Sequence, residues 1–157
     1  MESPLRAVHD GAAMKFQVLG RAHVFTVVPE LPHVLISITD VGAPEAALSD
    51  AATRLATLRL QFHDADQPWQ DRTLLSEEDA QRIVAFVEAH RERVSLVVCQ
   101  CEAGISRSAG VAAALSKWLN GDDALFFRYF HPNRHVYRLV LEAALGSEPA
   151  HEEATET

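Results

Sequence analysis

The chain has 157 residues, 48% hydrophobic and 23% charged, which is typical of one globular domain with its own core. Its net charge of −8 argues against nucleic acid and anionic membranes as partners, and we find neither a membrane-spanning apolar run nor a secretory signal. Two cysteines, Cys99 and Cys101, are too few for a disulfide framework, so we expect a reducing compartment and a cytoplasmic protein.

The predicted elements begin after a flexible leader, residues 1–13, and form one domain, residues 14–146. The stretch 21–29 fits a helix or a strand, because it is rich in β-branched residues. A turn of helix is expected within residues 49–56. The predicted strands of this half are 15–19, 33–40 and 57–62.

The second half contains the clearest helix, residues 76–93, which Ser76 can cap and which has acidic residues in its first turn. A continuous apolar run at 95–100 fits a central strand. The helix that follows, 108–119, is expected to end at Gly121. Two more helices are predicted at 122–130, where the aromatic residues are expected in the core, and at 132–145. An acidic tail, residues 147–157, closes the chain.

Strands that alternate with helices predict an α/β fold with a mainly parallel central sheet flanked by helices. Ligands of such sheets bind where the strands end. Here the stretch "SLVVCQCEAGISRSAG" runs from the predicted central strand through a loop into a helix. The loop ends at a helix N-terminus, which presents free N–H groups and a positive dipole end to an anion.

The residues of this loop suit phosphate chemistry. The field of the helix N-terminus stabilises a thiolate at Cys101, and Arg107 can grip two oxygens of a phosphoryl group. Gly104 lets the backbone turn at close approach. A thiolate at the floor of a phosphate cradle is a nucleophile aimed at phosphorus.

The stretch "CEAGISRS" resembles the C-x5-R-[ST] signature of the cysteine-dependent protein tyrosine and dual-specificity phosphatases, and in particular small bacterial predicted tyrosine phosphatases. The resemblance implies that Cys101 is the nucleophile, that Arg107 clamps the phosphate and that Ser108 donates a hydrogen bond to the thiolate. It further implies that backbone amides cradle the substrate. The substrate-binding residues are then Glu102, Ala103, Gly104, Ile105 and Ser106.

The family also has a general acid on an upstream loop with the pattern W-P-D-x-x-x-P. The stretch "FHDADQPW", residues 62–69, is similar, since Asp64 precedes Pro68 by four residues. The resemblance implies that Asp64 is the general acid, with Asp66 as the reserve candidate. A third similarity, between "HPNRHVYRLVLE" and the family's P-N-x-x-F segment, implies that Asn133 supports the loop.

Two positions depart from the family pattern. Gln100 stands where the family has histidine before the cysteine, so the thiolate loses a nearby positive charge and activity is expected to be weaker. Glu102 places an acid at the mouth of the pocket, which disfavours highly charged substrates. Cys99 is interpreted as a buried strand residue rather than a partner of Cys101 in a disulfide.

The sequence therefore predicts a phosphomonoester hydrolase that acts on phosphoprotein, at phosphotyrosine with phosphoserine or phosphothreonine open, or on a small phosphomonoester; the preference between these side chains is not predicted. No metal and no cofactor are implied, because the loop and Arg107 supply the positive field. The alternatives are a phosphate-binding pseudophosphatase with weak or no turnover and a rhodanese-type sulfurtransferase. The oligomeric state and the physiological substrate are not predicted.

Overall fold

The computed structural model describes residues 13–146; the predicted tail and all of the predicted leader but its last residue lie outside this range. The chain forms a four-stranded sheet with helices packed on both faces. No helix of the described range is long and apolar enough to cross a membrane. In chain order the elements are β1 (Lys15–Leu19), α1 (Arg21–Thr26), β2 (His33–Thr39), β3 (Arg54–Gln61), α2 (Glu77–His90), β4 (Leu96–Gln100), α3 (Arg107–Asn120), α4 (Ala124–Tyr129) and α5 (Arg134–Gly146).

The sheet has the strand order β1-β4-β2-β3, and every pair of neighbouring strands is parallel. The two central strands, β2 and β4, are buried along their whole length, because their apolar side chains face helices on both sides. The expected α/β fold is confirmed, and the sheet is parallel throughout. Since the carboxyl ends of parallel strands share one edge, the loops after β2, β3 and β4 meet there.

The hydrophobic residues divide into two clusters, one on each face of the sheet. The larger cluster joins the sheet to α2, α3 and α5, and includes Ile36, Ile83 and Val136. The smaller joins it to α1, where Val24 packs against Leu35 and Val98. The first turn of α3 is enclosed by the rest of the domain, since every residue of this helix from Arg107 to Ser116 is buried.

The helix predicted at 76–93 is present as α2, and its cap forms as expected. The Asp79 N–H donates to Ser76 Oγ over 3.1 Å. The helix after β4 ends at Gly121, whose φ of 78° is the left-handed conformation that favours glycine. The segment 21–29, whose sequence fits a helix or a strand, forms the helix α1 over residues 21–26.

One expectation about local structure is wrong, and a second holds only in part. The helical turn expected within 49–56 is absent, because β3 starts at Arg54, which pairs with His33 of β2. No residue of α4 is fully buried, but Phe126 is partly buried and packs against the larger hydrophobic cluster. Phe126 packs edge-on against Phe16 at 6.1 Å, whereas Tyr129 is 68% exposed.

Candidate active site

The loop of residues 101–107, here called the cysteine loop, joins the end of β4 to the start of α3. Its backbone lies directly against the turn after β1. Gly104 has a φ of 72°, and a Cβ there would lie 2.5 Å from the Gly20 nitrogen. Only glycine allows this approach, so the glycine singled out in the sequence fixes the course of the loop. Gly20, on the other side of the contact, was not singled out by sequence reasoning.

The cysteine loop leaves a set of backbone donors free at the N-terminus of α3. Ser106 occupies the N-cap position, yet its side chain makes no cap hydrogen bond. Within residues 13–146, no hydrogen bond has a backbone N–H of residues 102–107 as its donor. An uncapped start of a 14-residue helix with unpaired amides around it is a site for an anion.

Arg107, the first residue of α3, carries the positive charge of the site. It is only 5% exposed, and its Nη1 donates to Asp40 Oδ1 over 2.8 Å and to the Phe62 carbonyl oxygen over 2.7 Å. Its Nε is buried and has no hydrogen-bond partner among the described residues. A buried donor without a partner costs free energy, and an acceptor that reaches Nε would remove this cost.

Cys101 lies at the floor of the loop, 2% exposed. Its Sγ is 3.1 Å from Ser108 Oγ, within the hydrogen-bond range of a sulfur atom. The other cysteine, Cys99, is fully buried, and burial, with a contribution from Cys101, raises the pKa of its thiol well above the usual range. Both thiols are free in the structure, and the environment of Cys99 is that of an apolar core residue.

The loop of residues 62–69, here called the aspartate loop, brings Asp64 to the cysteine loop. The Ser106 hydroxyl donates to Asp64 Oδ1 over 2.8 Å, and the Asn133 side-chain amide donates to the same oxygen over 2.9 Å. Asp66 lies elsewhere, on a groove that it shares with Arg134. Of the two candidate acids, the structure places Asp64 beside the cysteine loop.

Asn133 contacts both loops at once. Its N–H donates to the Ser106 carbonyl oxygen over 3.0 Å, and its side-chain amide also donates to the Ala65 carbonyl oxygen over 3.1 Å. Its Oδ1 accepts from the Val136 N–H over 2.9 Å and so caps α5. The residue expected to support the cysteine loop therefore also anchors the aspartate loop.

Gln100, the residue directly before Cys101, makes two buried hydrogen bonds. Its Oε1 accepts from the Ser37 hydroxyl over 2.5 Å, and its Nε2 donates to the Cys101 carbonyl oxygen over 3.1 Å. The amide therefore holds the backbone of the cysteine. It brings no positive charge towards the sulfur.

Two charged residues that sequence reasoning missed contact the site. Asp40 pairs with Arg107, and Arg21 grips Glu102 with two hydrogen bonds of 3.0 Å. Arg21 follows the carboxyl end of β1, and Asp40 follows that of β2. Because ligands bind at this edge of the sheet, the position of these two residues after predicted strands could have identified them as site residues. The acid expected at the pocket mouth, Glu102, is consequently paired with a cation.

The arrangement combines a thiol, free amides, an arginine with an unpaired donor and a carboxyl group at one helix N-terminus. Such a site can bind a tetrahedral oxyanion, attack it with sulfur and protonate a leaving group. Within the described residues, no group of three His, Cys, Asp or Glu side chains is arranged to hold a metal ion.

Comparisons with known proteins find similarity in structure alone. No protein-family model matches the sequence, and no curated protein matches it. Among solved structures, human DUSP28 matches with a TM-score of 0.55 at 15% identity, over 89% of this chain and 95% of that one. DUSP15 matches at 0.52 and 17%, over 81% and 79%. A mouse putative dual specificity phosphatase, complexed with zinc tungstate, matches at 0.50 and 19%, over 76% and 74%. The chain has the fold of the dual-specificity phosphatases.

Proposed function

We propose that the chain is a cysteine-dependent phosphatase that hydrolyses phosphomonoesters through a phosphocysteine at Cys101. The observation that supports this most directly is the buried Arg107, whose Nε has no partner, at the start of an uncapped helix. A guanidinium held in this way is prepared for the equatorial oxygens of a phosphoryl group. The sulfur of Cys101 lies in the same loop.

The first step is attack of the Cys101 thiolate on phosphorus. An S–P bond forms as the P–O bond to the leaving group breaks, and Asp64 donates its proton to the departing oxygen. The two hydrogen bonds to Asp64 Oδ1 leave Oδ2 as the oxygen that carries this proton. The loop amides and Arg107 stabilise the charge on the transferring group.

The second step is hydrolysis of the phosphocysteine. Asp64, now a carboxylate, takes a proton from water, whose oxygen forms the new bond to phosphorus as the S–P bond breaks. The Ser108 hydroxyl, 3.1 Å from Sγ, donates to the sulfur as it departs with the electron pair. Inorganic phosphate leaves, and the thiolate is regenerated.

The substrates proposed are phosphorylated proteins and small phosphomonoesters. The fold shared with dual-specificity phosphatases supports this substrate class at low sequence identity. Phosphotyrosine, phosphoserine and phosphothreonine are all proposed as substrate side chains.

Hydrolysis of p-nitrophenyl phosphate tests the proposal. Wild type and Cys101→Ser are compared from about pH 5 to 8 without added metal. We expect turnover by the wild type, inhibition by vanadate and no turnover by the variant. Equal rates for the two proteins would exclude the phosphocysteine.

A second candidate function, a phosphate-recognition module with little turnover, is favoured by one observation. The amide of Gln100 donates to a carbonyl oxygen and supplies no charge to the sulfur. If this function holds, the wild type binds inorganic phosphate but does not hydrolyse the ester, and Gln100→His gains turnover. No comparable observation among the described residues favours the hypothesis of a rhodanese-type sulfurtransferase.

A further inference from the structure

Arg21, the first residue of α1, connects the cysteine loop to the opposite wall of the site. Its Nε and Nη2 each donate to one carboxylate oxygen of Glu102 over 3.0 Å. Its Nη2 also donates to the Pro44 carbonyl oxygen over 2.7 Å, and its Nη1 to that of Glu45 over 3.4 Å. One guanidinium thus joins the cysteine loop to the 40–46 segment, which begins with Asp40.

Two backbone hydrogen bonds place Arg21 beside the cysteine loop. The Cys101 N–H donates to the Leu19 carbonyl oxygen over 3.2 Å, and the Arg21 N–H donates to that of Glu102 over 3.0 Å. Between these two bonds lies the close contact of Gly20 with Gly104. The turn after β1 is therefore in register with the cysteine loop, and the Arg21 side chain falls beside Glu102.

The charge of Glu102 opposes the binding of a phosphate dianion. Its carboxylate belongs to the second residue of the cysteine loop and is 35% exposed, with Arg21 at 32%. The two-pronged geometry makes this ion pair stronger than a typical surface pair. The hydrogen bonds to Glu102 raise the pKa of Arg21 above its usual value, so the cation persists across the working range of pH.

We propose that Arg21 is a positioning residue of the phosphate site, which neutralises Glu102 where the cysteine loop meets the 40–46 segment. The inference rests on the proposed function, because it concerns affinity for the phosphoryl group. An acid in the cysteine loop weakens the binding of an anion by charge repulsion, and a cation that faces the acid offsets this. Arg21 supplies the cation from an element 81 positions earlier in the chain.

Calorimetric titration with inorganic phosphate, in the Cys101→Ser background at low salt, tests this role. Removing the cation in Arg21→Ala exposes the Glu102 charge, so we expect affinity to fall about tenfold and the loss to shrink as salt rises. The double variant Arg21→Ala/Glu102→Gln removes both charges and is expected to recover most of the affinity. Glu102→Gln alone leaves Arg21 uncompensated and is expected to bind more tightly than the background.

Arg59→Ala is the matched control. Arg59 donates to the Ala46 carbonyl oxygen over 2.9 Å and lies 3.8 Å from Glu45, and neither interaction involves the cysteine loop. The inference is overturned if Arg21→Ala binds phosphate as well as Arg59→Ala does. A double variant as weak as Arg21→Ala, or a Glu102→Gln variant that binds more weakly than the background, also overturns it. Failure of the Cys101→Ser background to bind phosphate at all overturns the proposed function, and the inference with it.

Discussion

Two serine hydroxyl groups on either side of Arg107 act on different atoms of the site. The Ser106 hydroxyl donates to Asp64 Oδ1, and the Ser108 hydroxyl lies beside the Cys101 sulfur. In the proposed mechanism the first hydroxyl orients the acid, whereas the second stabilises the leaving sulfur. Removing each one therefore affects a different step.

We expect Ser106→Ala to slow the first step, because Asp64 loses one of the two donors to its Oδ1. The loss of one such hydrogen bond lowers kcat by about tenfold. The effect is expected to be larger for phosphotyrosine than for p-nitrophenyl phosphate, because the better leaving group needs less protonation. The kcat values for the two substrates measure this.

Ser49→Ala is the control for that experiment. Its hydroxyl also donates to an oxygen, the Val27 carbonyl, over 2.6 Å, but it lies outside both loops of the site. A Ser106→Ala variant whose kcat falls equally for both substrates, or no more than in Ser49→Ala, would contradict the assignment of Ser106 to the acid.

We expect Ser108→Ala to slow the second step by about tenfold, because the departing thiolate loses a charge-assisted hydrogen bond. The phosphocysteine then accumulates. A rapid-mixing experiment with p-nitrophenyl phosphate should show a burst of p-nitrophenol close to one equivalent per chain, followed by slow turnover. A slowed reaction without a burst would place Ser108 in the first step instead.

At the scale of elements, the cysteine loop depends on the contact between two glycines. Gly104→Ala puts a Cβ at 2.5 Å from the Gly20 nitrogen and at 2.6 Å from the Leu19 carbonyl carbon, and both of these are backbone atoms. Gly104 is also left-handed, at a φ of 72°. We expect the variant to lose at least about 2 kcal/mol of unfolding free energy and its phosphate binding as well, because clash and backbone strain add.

Gly42→Ala separates those two contributions. Its φ is 83°, but nothing lies within 4 Å of the added Cβ, so only the left-handed penalty of about 1 kcal/mol applies. Urea denaturation of both variants measures the difference. Equal losses of unfolding free energy would mean that the contact between Gly20 and Gly104 adds nothing to the stability of the loop.

The elements themselves could be predicted because their signals are local. The apolar run of β4, the Ser76 cap of α2 and the Gly121 end of α3 each depend on neighbouring residues. The ion pairs of the site could not be predicted in this way. Arg107 and Asp40 are 67 positions apart, and no spacing rule relates them. Only the pairing of the strands brings such residues together.

Across the whole molecule, the parallel sheet separates the candidate site from another buried titratable group. The cysteine and aspartate loops follow the carboxyl ends of β4 and β3, whereas His33 begins β2 and so lies at the amino edge. The cysteine loop could be predicted from its motif, while the buried His33 could not, because its burial depends on the elements that cover the start of β2. The titratable group that we expect to make stability depend on pH therefore lies apart from the candidate site.

We expect the unfolding free energy to fall as the pH falls below about 6.5, because His33 must stay neutral in the folded protein. Burial lowers its pKa, Arg54 adds to this, and the hydrogen bond between its Nδ1 and the Leu31 carbonyl oxygen, at 2.9 Å, opposes it only in part. Between the lowered folded pKa and the unfolded value, the unfolded chain binds more protons. Stability is therefore complete above the unfolded pKa and is lost as the pH drops below it.

Urea midpoints of wild type and His33→Gln at pH 8 and pH 5.5 measure this contribution. Glutamine retains a donor for the Leu31 carbonyl oxygen but does not titrate, so we expect the variant to lose less stability than the wild type on acidification. His23→Gln, at an exposed position of α1, should lose as much as the wild type does. If the unfolding free energy of His33→Gln falls as much on acidification as that of the wild type, then protonation of other groups, not of His33, causes the loss of stability at low pH.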